Sequence, residues 1–214
     1  MKTINENYFK NEKTKEPESL ELFIGNDEQI LWQGKPKKKA YVLGAFFKMF
    51  PFALVWLCFD GVFIGAFIGT GAINSAPPSA ILILIAFFAF HLIPVWIWLA
   101  GIIKASVQHK NLEYAFTNKR IVIKSGIIGI DFKTVYYSQI QSVNLKVGLV
   151  DKMLKVGDVY IKSDDSSVVL FDIADPYFIT EKLQSIVIDI KTDVEFPNAL
   201  RPETNPGYNV KLDK

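Results

Sequence analysis

Basic charge is missing from one long stretch of this 214-residue chain: from Met49 to Ile103 there is no lysine or arginine. That stretch holds one acid, Asp60, and one histidine, His91. Charged residues still make up 21% of the chain and hydrophobic residues 50%, so the apolar excess is concentrated there. Such segregation excludes a simple soluble enzyme and a disordered chain. The one cysteine, Cys58, excludes an internal disulfide. Only two histidines occur, His91 and His109, and no His/Cys cluster has metal-ligand spacing, so neither a metal nor a cofactor is expected. G-x-S-x-G and glycine-rich phosphate loops are absent, which leaves no catalytic set to assign. From Lys104 onward fifteen basic residues face fourteen acidic ones. That balance gives no field for nucleic acid.

The uncharged stretch contains two runs long enough to cross a hydrocarbon core of about 30 Å, which takes about 20 residues. They cover 49–72 and 80–103, and Asn74-Ser75-Ala76-Pro77-Pro78-Ser79 makes a turn between them. A loop this short makes an antiparallel hairpin. Lys35, Lys37, Lys38, Lys39 and Lys48 precede it, and Lys104, Lys110, Lys119 and Arg120 follow. Short basic flanks stay cytoplasmic, so the pattern predicts a two-span cell-membrane protein with both termini inside. Trp96 and Trp98 suit an interfacial belt. The first 48 residues are hydrophilic, and the first span is expected to act as its own uncleaved insertion signal.

The remaining chain divides by composition. Residues 1–20 read as a flexible arm, 21–48 as a cytoplasmic pre-membrane segment, and 191–214 as a disordered tail. Within 21–34, Leu22, Phe23, Ile24, Ile30, Leu31 and Trp32 are expected to dock on another part of the protein. Over 104–190, six or seven short strands are legible. They include 112–116, 120–124, 132–137, 140–147, 158–163 and 168–172, with Asp164-Asp165-Ser166-Ser167 as a hairpin turn. Asp175 and Pro176 then suit the start of a helix. Ile179, Leu183, Ile186, Val187 and Ile190 fall on one face of it. The expected fold is therefore an integral membrane α-helical hairpin plus a small, mainly β, antiparallel barrel or sandwich, capped by a C-terminal amphipathic helix.

Several segments carry a resemblance. Tyr114-Ala-Phe-Thr-Asn-Lys-Arg-Ile-Val-Ile-Lys-Ser-Gly126, then Ile140-Gln-Ser-Val143, Asp151–Ile161 and Asp172-Ile-Ala-Asp-Pro176 resemble the bacterial pleckstrin-homology (PH-like) domain of small membrane proteins. Ile30-Leu-Trp-Gln-Gly-Lys-Pro36 is similar to the segment these proteins carry before a two-helix hairpin. The resemblance implies a PH-like fold on the cytoplasmic face of a membrane anchor and no catalytic motif. It does not by itself imply a ligand.

Four constellations are candidate sites. Lys35, Lys37, Lys38 and Lys39 would mark topology, contact lipid headgroups, or both. Asp60 and His91 fall at similar depth in the hairpin. They read either as an interhelical clip or as a proton or ion site. Gly61, Gly65 and Gly69 form a small-residue face for the second helix or for self-association, and Pro94 is placed to kink the second helix. Lys119 and Arg120 would be presented at a hairpin tip. With only Lys119, Arg120 and Lys124 in the opening strands, specific phosphoinositide binding is not expected. The composite expectation is a non-enzymatic binding or scaffold module with the bilayer and a protein, or a second copy, as partners. The competing reading is an oligomeric transporter or proton conductor using Asp60 and His91.

Overall fold

The structure is a computed structural model, and it describes residues 20–25 and 28–196. Among the described residues, seven strands form two antiparallel sheets. The first has the order β1 (Ile30–Gly34), β2 (Glu113–Thr117), β3 (Arg120–Ser125) and β4 (Asp131–Tyr136). The second has the order β5 (Ile140–Lys146), β6 (Val156–Ser163) and β7 (Ser167–Ala174). Both sheets contribute to one core, with Tyr114, Phe116, Ile121, Val159, Ile161 and Leu170 at its centre. Helix α6 (Pro176–Glu195) closes that core with Ile179, Leu183 and Val187.

Strand β1 lies before the apolar helices in sequence and beside β2 in space, with Trp32 opposite Phe116 and Gly34 opposite Tyr114. The barrel is therefore discontinuous, and the helices are inserted between its first and second strands. A boundary between a 21–48 segment and a domain starting at residue 104 does not hold. Docking of the earlier segment has a physical cause: β2 and β3 are buried on both faces. Tyr114, Phe116, Ile121 and Ile123 face the main core. Ala115 and Val122 face the other way and are covered by Leu20, Ile24 and Phe132. Leu20 has no exposed surface, so it belongs to the fold and not to an N-terminal arm. The rest of that arm lies outside the described residues. At the other end, α6 runs through Glu195, so the first part of the expected tail is helical.

Helix α1 covers Lys38–Gly69, α2 Ala72–Ser75, α3 Pro78–His91 and α4 Ile93–Asn111. These limits replace the expected 49–72 and 80–103. Helix α1 takes in Lys38, Lys39 and Lys48, and its 32 residues span about 48 Å. The second run is broken at Leu92, where α3 and α4 meet at 52°. Pro94 lies in the first turn of α4 and cannot donate a backbone hydrogen bond, so the helix bends just before it. Helix α1 is long and apolar enough to cross a membrane, and α3 with α4 passes the same test as one bent span. Helices α1 and α4 pack along each other. Helix α3 leans away and leaves an apolar cavity of about 490 Å³ lined by Ile64, Phe67, Ile81, Leu84 and Phe88.

Helix α5 (Leu149–Leu154) was not legible in the sequence. It is short, and Asp151 Oδ2 fixes its start by accepting the Gly148 N–H at 2.8 Å. Gly157 in β6 has no space for a side chain: a Cβ there would meet Pro176, Leu145 and Val147 at 2.9–3.1 Å. This close approach seats the start of α6 against the β5–α5 connection.

Candidate functional site

Two polar constellations stand out: one between the apolar helices, and one at the neck where they meet the barrel. Asp60 of α1 is 2% exposed although its helix is mostly uncovered. His91, the last residue of α3, brings Nδ1 to 2.8 Å from Asp60 Oδ1. The separation is that of a hydrogen bond but the alignment is not, and neither carboxylate oxygen has a well-directed donor. Rings from both helices enclose the imidazole, with centroids at 5.9 Å (Trp56), 5.4 Å (Phe59) and 5.4 Å (Phe87, nearly parallel). Such a pair in an apolar setting clips the helices in one rotation, typically for about 1 kcal/mol. A double-mutant cycle with Asp60→Asn and His91→Gln should give a coupling of about that size in thermal unfolding. Additive losses would mean the two groups act separately.

Two tryptophans of α4 bond backbone carbonyls of the apolar helices. Trp96 Nε1 donates to Ala89 O at 3.1 Å, and Trp98 Nε1 donates across to Phe46 O of α1 at 2.9 Å. The glycine face does not serve intrachain packing. Gly61, Gly65 and Gly69 have no atom within 4 Å of where a Cβ would stand. Helix α4 lies on another side of α1, and α3 leans away from it.

At the neck, Pro36 O lies 2.7 Å from His109 Nε2, which ties the start of α1 to the end of α4. The Lys37 N–H donates to Asp172 O at 3.0 Å, and its ammonium donates to Leu154 O at 2.9 Å. Lys37 thus ties the start of α1 to β7 and α5. Lys35 pairs with Glu113 at 3.7 Å and stays half exposed. Lys38 and Lys39 cap a groove of about 530 Å³ whose walls turn apolar within one helical turn, at Val42, Leu43, Phe46 and Ile102. Sequence spacing separated the four lysines by none of these roles, because all four look alike in a basic run.

Asp172 itself is a residue that sequence reasoning missed. A bulge in the β6–β7 ladder puts it in the left-handed region at φ 50°. Its N–H donates to Asp158 Oδ1 at 3.0 Å. Burial, then the charges of Asp158 and Asp151, push its carboxyl up to about 7. Burial raises Asp158 as well, with Asp151 adding to it. Tyr114 of β2 is also raised, mainly by burial. Tyr114 Oη accepts the Phe171 N–H at 3.0 Å. The only sequence signal was an acid inside an otherwise apolar strand.

Arg120 is not presented at a loop tip. Its Nε and Nη2 each lie 2.9 Å from one oxygen of Glu28, a two-pronged pair, and Glu28 is nearly buried. Thr117 Oγ1 donates to Glu28 Oε1 at 2.6 Å and accepts the Arg120 N–H at 3.0 Å. The Phe23 ring lies 5.4 Å from the guanidinium. This cluster latches residues 20–25 and 28–30 onto the sheet. Lys119, its neighbour, takes its backbone N–H to Thr117 Oγ1 at 3.1 Å. Asp175 stands at the N-cap of α6, as its sequence position suggests, but in the left-handed region and with no side-chain cap. No group of three His, Cys, Asp or Glu side chains could hold a metal ion among the described residues.

The chain has been compared with known proteins. The model of a family described as Bacterial PH domain matches residues 52–187, from inside α1 through most of α6. No curated protein matches the chain. Among solved structures it is similar to a DUF1696-family protein with a pleckstrin-homology domain from Shewanella loihica PV-4. That likeness has 18% identity and a TM-score of 0.29, over 36% of this chain and 70% of that one.

Proposed function

We propose, from the premise that this chain belongs to the bacterial PH domain family, that it is a membrane-anchored, non-enzymatic binding or scaffold module whose barrel works at the cytoplasmic face. The observation that carries this reading is the exposure of the helices. Val62, Leu82, Ile83 and Phe90 are each more than two thirds exposed beside a barrel that buries its own core. A soluble core helix would hide these side chains, whereas a bilayer solvates them. Lys38, Lys39, Lys104 and Lys110 cluster at the barrel end of the helices, which the positive-inside rule places in the cytoplasm. The groove under Lys38 and Lys39 has the polarity of an anionic lipid, with charge at one end and apolar walls at the other.

Recognition of a protein would use an open sheet edge. Strands β1 and β4 flank the first sheet, and each has a free edge that can add a partner strand. The test is photocrosslinking of the full chain in native membranes after an alkaline wash, with a photoreactive residue at Lys133 on β4 or at Asp165 in the β6–β7 turn. A specific adduct at position 133 and none at 165 is the expected result. Loss of the chain from washed membranes would remove the anchor, and no adduct at 133 would remove the edge-strand mode.

One observation favours a second reading, an oligomeric proton conductor: the buried, poorly satisfied Asp60 beside His91. Self-adducts through the helices alone, with proton leak lost in Asp60→Asn, would put that reading first.

A further inference from the structure

We infer that the neck-facing end of the barrel seats directly on the bilayer surface, through exposed apolar side chains from three separate elements. This deepens the membrane-anchored reading and rests on it. The first element is the β3–β4 turn, Gly126-Ile127-Ile128-Gly129-Ile130. Its Ile128 is fully exposed, and Ile127 and Ile130 are 39% and 46% exposed. The turn is built to hold them out. Gly126 has φ 139°, and a Cβ there would stand 1.9 Å from Gly129 O, so only glycine closes it. The second element is α5, where Leu149 and Met153, one turn apart, are 86% and 84% exposed. The third is the first turn of α6, with Tyr177 and Phe178 exposed.

All three elements attach to the point where the helices leave the barrel. Asn111, the last residue of α4, approaches Gly126 O with Nδ2 at 3.4 Å. Lys37, just before α1, bonds Leu154 O at the end of α5. Its backbone bonds Asp172, four residues before α6 begins. The opposite end of the barrel exposes Ile30 and Tyr136 in part, at 38% and 49%. The turns 118–119 and 164–166 there carry no large exposed apolar side chain.

The occupant is a lipid surface for two reasons. The chain's own helices tether these points beside the bilayer, so contact costs little further ordering. Lysines also border them: Lys152 and Lys155 line a cavity of about 390 Å³ with Tyr177 and Phe178, and Lys38 and Lys39 cap the α1–α4 groove. Apolar side chains flanked by lysine are the chemistry of an anionic interface. The consequence is a barrel held in one orientation, with its far turns and the β4 edge turned to the cytoplasm.

The test uses the full chain in a Cys58→Ser background, in nanodiscs of phosphatidylcholine with or without phosphatidylglycerol. Single cysteines at Ile128, Met153, Asp165 or Val62 carry an environment-sensitive fluorophore. Lipids brominated high on the acyl chain should quench most of the emission from Ile128→Cys and Met153→Cys, more strongly with phosphatidylglycerol, and leave Asp165→Cys unchanged. Quenching at Val62→Cys alone would overturn the seating and leave the anchor standing. No quenching at Val62→Cys would overturn the anchor and the seating with it. Shielding of Ile128→Cys from aqueous iodide without lipid quenching would assign the patch to a protein contact, and also overturn the inference.

Discussion

Arg120→Ala should cost about 3 kcal/mol of stability, the usual size for breaking a buried ion pair from one side. The loss would exceed that of an exposed salt bridge because Glu28 stays behind. Its side chain is nearly buried, and both oxygens now accept from Arg120. Thr117 and the Gly25 N–H would still reach one oxygen each, but neither oxygen would face a cation. Arg120→Lys should fall between the two, since an ammonium keeps the charge but not the two-pronged geometry. Residues 20–25 and 28–30 should be released first, because the latch holds them to β2 and β3. Hydrogen exchange at β1 amides, with a denaturation midpoint in detergent, reads both effects. Acid has a defined sign here. Burial alone would raise the Glu28 carboxyl, but the bonds from Arg120 and Thr117 and the charge of Arg120 leave it lowered. The latch contribution is therefore present above the ordinary carboxylate value and is lost as pH falls through the lower folded value. In Arg120→Ala that acid dependence should vanish or reverse.

Asp172→Asn should act in the opposite direction and stabilise the protein at neutral and alkaline pH. The folded carboxyl titrates at about 7 against an ordinary 3.8, so the folded state holds its proton more tightly than the unfolded chain. The stability linked to this group is complete below pH 3.8 and is lost as pH rises through about 7. Above that pH the ionised Asp172 faces Asp158 with little solvent. An amide removes the repulsion and tolerates the left-handed backbone, as asparagine commonly does. After discounting for partial solvent screening, the gain at pH 8 should be about 2 kcal/mol and should shrink towards zero at pH 4. Melting temperatures of the two proteins across that range would decide it. Parallel curves would mean that Asp172 does not carry the titration.

Much of the molecule followed from local pattern. Absence of charge between Met49 and Ile103 located the apolar helices, and Pro94 lies two residues past the observed break at Leu92. Alternation and turn chemistry located β2 to β7, and helical spacing from Ile179 to Ile190 located the capping face of α6. These signals are local in the chain: hydrophobic period and helix breakers act within a few residues. Equal spacing from the interhelical turn also put Asp60 and His91 at one depth, and that arithmetic needs only a hairpin.

Tertiary structure alone decided the rest. It joined β1 to β2 across the inserted helices, a pairing set by which edges a folded sheet leaves open. It gave Arg120 and Lys37 fixed partners, because Glu28 and Leu154 are distant in sequence and near in space. It left the glycine face of α1 open and made Asp172 the hinge of the neck through a bulge that no residue pattern announces. Lys37 meets a carbonyl 117 residues away, and Arg120 a carboxylate 92 residues away. Composition and period carry no record of that, so burial and partner choice could only be read once the chain was folded.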